Sequence, residues 1–167
     1  NDKVVENPVK SGVDYATWSA VSDKEHEEVL ALGLRRVIGT LIHIVYNARP
    51  DATCAVNMVS RFQSRASHAL FDACIRIVQY LYCTRHKLLT YTARPCPRNT
   101  ITVEFFCDAS NVPCAAPGKK YGMSTTGIAV FVSGAGAAVD WYCLRQTCVA
   151  RNSTEAEIIA STDCTPK

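Results

Sequence analysis

The residue pattern predicts a mixed chain, α+β or α/β, with a first part of three helices and then an antiparallel meander with one helix. Three observations predict it. Apolar residues recur at three- and four-residue spacing between Leu30 and Leu81. From Ile101 the period drops to two and β-branched and aromatic residues take over. Pro50, Pro95 and Pro97 and the Gly134-Ala135-Gly136 turn punctuate the pattern between elements. With 167 residues, 48% apolar and 20% charged, the chain is globular in composition and not disordered.

The first 22 residues read as a leader without clear periodicity. A helix is expected from Asp23 to about Asn47, opened by Ser22 and by Asp23, Glu25, Glu27 and Glu28, whose charges suit the positive end of the dipole. Leu30, Leu34, Val37, Ile38, Leu41, Ile42 and Val45 give it one apolar face. Arg49-Pro50-Asp51 ends it, because proline cannot continue a helix and restricts the residue before it. A second helix is expected over 51–64, with Ala55, Val56, Val59 and Phe62 on one face. A third is expected over 67–84, with Leu70, Phe71, Cys74, Ile77, Val78 and Leu81 as its stripe. Leu88–Tyr91 has the length of a short strand, and Pro95 and Pro97 mark a linker. Strands follow near 101–107, 126–132 and 138–144, with Gly134-Ala135-Gly136 as a tight turn. A loop at 109–123 holds Pro113, Pro117 and Gly118. Ser153-Thr154-Glu155 opens a last helix, with serine as the expected cap.

No run of about 20 apolar residues exists, and Arg35, Arg36 and His43 interrupt the best candidate, so no membrane span is expected. The net charge of +3 hides a gradient: −4 over residues 1–30, +7 over 31–107, and balance beyond. A basic middle is compatible with phosphate backbones or with a solvated face. Of the basic side chains, Arg61, Lys119 and Lys120 are the candidates for touching nucleic acid. The nine cysteines contain no C-x-x-C and no zinc-finger spacing. Many lie in apolar segments, where a free thiol packs as a small hydrophobe, so a reducing intracellular compartment without disulfides is expected. The chain opens at Asn1 with no apolar targeting segment, which reads as a processed product or fragment.

The candidates for chemistry are two carboxylates. Asp108 ends the apolar strand Phe105-Phe106-Cys107, and Glu157 lies in the first turns of the last helix. A strand acid and an acid on a packed helix can converge on Mg²⁺, which prefers hard oxygen ligands. Acids also end strands and start helices for solvation and capping alone.

Ordered motifs then point to a family. Arg35-Arg36-Val37-Ile38-Gly39-Thr40-Leu41, Asn47-Ala48-Arg49-Pro50-Asp51, Ala55-Val56-Asn57, Val59-Ser60-Arg61-Phe62 and Ile77-Val78-Gln79-Tyr80-Leu81 with Thr84 resemble the C-terminal part of a copia-type LTR-retrotransposon reverse transcriptase. Phe106-Cys107-Asp108-Ala109 resembles the opening strand of that family's RNase H domain. Ser124-Thr125-Thr126-Gly127, Val139-Asp140-Trp141, Gln146 and Ser153-Thr154-Glu155-Ala156-Glu157 follow in the family's order.

The resemblance implies three regions: a leader over 1–22, a helical thumb- or connection-like segment over 23–93, and a truncated RNase H-like domain over 94–167. It implies cleavage of the RNA strand of RNA–DNA hybrids by acids that hold a pair of divalent ions. Asp108 matches the first acid and Glu157 the second, while Glu155 is expected to cap. The family's later acids would lie beyond Lys167, and Ser110-Asn111 stands where the family has an acid and a tryptophan. The expectation is therefore a retrotransposon-derived polypeptide with an incomplete site, non-catalytic as this chain, serving as a structural or binding component beside other protein chains. The alternative is a fragment of an active reverse transcriptase–RNase H acting on hybrids with Mg²⁺.

Overall fold

A computed structural model describes residues 5–92, 100–110 and 123–164. They form two compact units, one reaching Lys87 and one starting at Leu88. The elements of the first are α1 (Asp23–Ala31), α2 (Leu34–Asn47), α3 (Pro50–Ser60) and α4 (His68–Cys83), with 3-10 turns at Tyr15–Trp18 and Gln63–Arg65. Those of the second are β1 (Val103–Ser110), β2 (Thr125–Val132), β3 (Ala138–Arg145) and α5 (Ser153–Asp163). The chain is thus mixed α+β, as its two periodicities predict.

The single helix expected over 23–47 is two. Gly33 adopts φ +84°, a left-handed conformation that costs glycine little, and its N–H bonds the carbonyl of Leu30. The chain bends by 60° there. The reversal lets α2 bury Leu34, Ile38, Leu41 and Val45 while α1 buries Val29. Each such side chain removed from water stabilises by roughly 1.5–3 kcal/mol. Among the described residues no single helix is long and apolar enough to cross a membrane.

Glu25 explains how α1 and α4 start together. Ser22 Oγ accepts from Glu25 N at 3.2 Å, and Glu25 Oε2 accepts from Val21 N, one residue before the cap, at 3.0 Å. Its other oxygen accepts from His68 N, the first amide of α4, at 3.1 Å. These backbone donors hold the Glu25 carboxyl below its usual range.

Ser67 caps α4 itself: its Oγ accepts from Leu70 N at 3.2 Å and donates to Thr17 O at 2.6 Å. The second bond ties the N-terminal stretch to the helices. That stretch also packs Trp18 edge-on to Phe62, with ring centroids 5.6 Å apart. Because Ser67 is buried, Ser67→Ala is expected to cost about 1–2 kcal/mol, read as a lower urea midpoint at unchanged slope.

Arg49 connects α3 to the far end of α4. Its Nε and Nη2 grip the Asp51 carboxylate at 2.9 and 2.7 Å. Nη1 donates to the carbonyls of Leu81 and Thr84, both at 3.4 Å, and Nη2 donates to Thr84 Oγ1. Tyr80 OH completes the group by donating to Asp51 Oδ2 at 2.7 Å. Arg49 is thus a side-chain cap at the C-terminal end of α4.

In the second unit the strands pair antiparallel in the order β1-β2-β3, the expected meander. Asp108 stands opposite Gly127, and the register shifts between Val130 and Phe131. The strand expected at Leu88–Tyr91 is not formed. Leu88 is exposed, and the segment is held by Tyr91 OH donating to Ala138 O and Thr92 N to Ala135 O, contacts too few for a ladder. The cap of α5 is Asn152 rather than serine: its Oδ1 accepts from Glu155 N at 2.8 Å, and Glu155 Oε2 accepts from Arg151 N at 2.7 Å. Glu155 therefore has the capping role expected of it. The linker prolines Pro95 and Pro97, and Pro113, Pro117 and Gly118 of the expected loop, lie outside the described residues.

Candidate functional site

β1 and α5 carry the two candidate acids, and their packing follows from alternation. Successive side chains of a strand point to opposite faces. Cys107, Ala109, Thr126 and Ile128 point toward α5, whereas Phe106, Asp108, Gly127 and Trp141 share the other face. Contacts from α5 mark the first face. Ser161 Oγ lies 3.6 Å from Cys107 Sγ, and Asp163 Oδ2 accepts from Thr126 Oγ1 at 3.3 Å.

Gln146 braces the helix to the sheet from the loop after β3. Its side chain is 1% exposed, and its Nε2 donates to Thr126 Oγ1 at 3.1 Å and to Ala156 O at 2.9 Å. Ala156 and Ala160 form the buried side of α5, small enough to let the helix lie close to the strands.

Glu157 is exposed, and its carbonyl accepts from Ser161 Oγ at 2.9 Å, so it sits one turn before the Ser161–Cys107 contact. Asp108 is exposed as well, but the pleat sets it on the face away from α5. The packing of β1 on α5 thus brings the two acids to neighbouring elements, and the contact joining the elements is made by Cys107 and Ser161. Among the described residues no group of three or more His, Cys, Asp or Glu side chains could hold a metal ion.

The basic candidates separate. Arg61 follows α3 in the first unit, with Nε and Nη2 donating to Asn57 Oδ1 at 3.0 and 2.7 Å. Lys119 and Lys120 lie outside the described residues.

The cysteines divide by burial. Cys74 and Cys143 are buried, as expected of thiols in apolar segments, and burial pushes the Cys74 thiol up to about 12. Cys54 and Cys148 are exposed, against the expectation of core-facing positions: Cys54 falls on the solvent side of α3 and Cys148 in the loop between β3 and α5. Cys96 and Cys114 lie outside the described residues. One association was not anticipated. Cys164, the C-cap of α5, lies near Cys107; burial foremost, then this neighbour, pushes its thiol up to about 11. The only sequence signal for it is the alternation that turns Cys107 away from the Asp108 face.

No family profile and no solved structure matches the chain. The curated proteins that resemble it include these three. An uncharacterized mitochondrial protein of Arabidopsis thaliana is 31% identical over 124 residues, 74% of this chain and 47% of its own length. The retrovirus-related Pol polyprotein from transposon TNT 1-94 of Nicotiana tabacum is 31% identical over 127 residues, 75% of this chain and 9% of the polyprotein. A Saccharomyces cerevisiae protein named for transposon Ty5-1 is 30% identical over 132 residues, 76% of this chain and 38% of that protein. The chain spans less than half the length of each of these relatives. Together with the ordered motifs, they identify the chain as a homologue of copia-type retrotransposon Pol polyproteins.

Proposed function

We propose that this retrotransposon-derived polypeptide is non-catalytic as it stands and acts as a structural or binding component of a larger assembly. On this reading residues 23–93 are a thumb- or connection-like segment and 94–167 an RNase H-like unit. The observation that carries the proposal is the placement of its two acids. Asp108 sits on the face of β1 away from α5, the helix that carries Glu157, and among the described residues no group of three or more acids, histidines or cysteines forms a cation site. Mg²⁺ at an RNase H centre needs several oxygen ligands to clamp two ions and orient water. The described residues do not fit that requirement, so no cleavage step is assigned to them. The binding half of the proposal is supported by β1, an edge strand among the described residues, where Val103, Phe105 and Phe106 remain 43–59% exposed. Apolar side chains along an open strand edge are a surface that association would cover.

The test is a labelled RNA–DNA hybrid incubated with the purified chain in Mg²⁺ and, separately, Mn²⁺, beside an Asp108→Asn variant. The expected result is no metal-dependent cleavage by either protein. Metal-dependent cleavage by the parent chain that disappears in the variant overturns the proposal in favour of an active RNase H.

A further inference from the structure

β1 and α5 meet at a pair of thiols. The pleat turns Cys107 toward the helix, where Ser161 Oγ lies 3.6 Å from its Sγ. Cys164 follows Ser161 by three residues, the spacing that keeps two helical side chains on one face. The two thiols lie near enough for Cys107 to help raise that of Cys164. Both cysteines are free and half-buried, so a small reagent can reach them. Each backbone is anchored, β1 by its ladder to β2 and Cys164 by its N–H to Ala160 O at 3.2 Å, which keeps the two sulfurs near each other.

We propose that Cys107 and Cys164 are a modification site that closes reversibly to an intramolecular disulfide when a low-molecular-weight disulfide is present, tying the end of α5 to β1. In the first step the Cys107 thiolate attacks one sulfur of the small disulfide; its S–S bond breaks, a mixed disulfide forms and one small thiol leaves. In the second, Cys164 gives its proton to solvent and attacks Cys107 Sγ, expelling the other small thiol. The protein loses two electrons and two protons, and the oxidant's two sulfurs leave as two thiols. A reducing compartment reverses both steps by the same chemistry, so the dithiol is the resting form there.

The closing step is the slow one. The Cys164 thiol is pushed up to about 11, by burial first and then by its neighbours, with Cys107 facing it from β1, Tyr142 from β3 and Asp163 from α5 itself. Below such a value the thiolate fraction grows about tenfold per pH unit, and closure should accelerate accordingly from neutral pH upward.

The experiment uses the full chain, reduced, freed of reductant and incubated with oxidised glutathione at mildly alkaline pH. Remaining thiols are alkylated and the digest is mapped by mass spectrometry. The expected result is a peptide joining Cys107 to Cys164, two hydrogens lighter than the reduced pair and restored to thiols by dithiothreitol. The cross-linked protein should melt about 5 °C higher, because closing a long loop restricts the unfolded chain. Cys164→Ser should leave Cys107 as a stable glutathione adduct. Recovery of Cys107 and Cys164 both alkylated, both as glutathione adducts, or joined to other cysteines instead of each other overturns the proposal. The map of the parent chain decides this even if the serine variant does not fold.

Discussion

Arg49→Ala is expected to destabilise the helical unit by about 3 kcal/mol. Arg49 is 8% exposed, and its guanidinium serves Asp51, Thr84 Oγ1 and two carbonyls at the end of α4. Truncation leaves the Asp51 carboxylate with the Tyr80 hydroxyl but without its cation, and uncaps that helix end in one step. Arg49→Lys should recover only part of the loss, since an ammonium cannot supply the two-pronged fork that Asp51 receives. The same network predicts a pH profile. Hydrogen bonds from Arg49 first, then from Tyr80, hold the Asp51 carboxyl below its usual value despite partial burial. A group depressed in the folded state adds stability above its unfolded value and loses it as pH falls through the folded one, so the contribution fades below about pH 4. Burial and Asp51 raise the Tyr80 phenol, so its contribution is complete below about pH 10 and lost as pH rises through the folded value. Urea midpoints across the pH range, compared with Arg49→Ala, should show both flanks in the parent and a flatter profile in the variant. An unchanged midpoint in the variant would remove Arg49 from the role given to it.

The second large effect is expected at Gln146. Gln146→Glu places a carboxylate where an amide donates to Ala156 O and Thr126 Oγ1, and where Gln146 Oε1 already has no partner. The substitution removes both donations and turns an oxygen toward a carbonyl, for a cost of about 3 kcal/mol or more at neutral pH. Burial raises the folded value of the introduced acid. The penalty should therefore be small near pH 4, grow as pH rises above the unfolded carboxylate value, and level off beyond the folded one. Gln146→Met keeps the length without the charge and should cost about 1–3 kcal/mol with no such pH dependence. Hydrogen exchange of the α5 amides is the direct readout, because the lost bonds are those that hold this helix to β2. Equal protection of α5 in parent and Gln146→Glu would refute the bracing role.

Much of the architecture is written locally. The helical stripe from Leu34 to Val45, the capping residues Ser22 and Ser67, the break at Pro50 and the alternation from Val103 onward each act within a few residues, and each appears in the fold where its local rule puts it. The motifs behave likewise: their order along the chain was enough to point to retrotransposon Pol relatives. Gly33 misleads because a lone glycine costs an interior helix only about 1 kcal/mol, so nothing local says whether the chain passes straight through or turns. Packing decides: with the turn, Val29 and the α2 stripe are both buried. Leu88–Tyr91 fails for the converse reason, since strand-forming residues make a strand only beside a partner.

The candidate site divides in the same way. Asp108 and Glu157 were legible as residues on a strand and a helix, because element type follows from periodicity. Their faces were not, because a one-residue step along a strand reverses the direction of a side chain, and it is the Cys107–Ser161 and Thr126–Asp163 contacts that show which side α5 covers. Arg49 read as a helix breaker; its reach to Thr84, 35 residues away, belongs to the packing of α3 against α4. The meeting of Cys107 with Cys164 is likewise a product of chain folding. Local sequence set the identity and spacing of these groups through short-range backbone preferences, and burial between distant segments alone determined which of them touch.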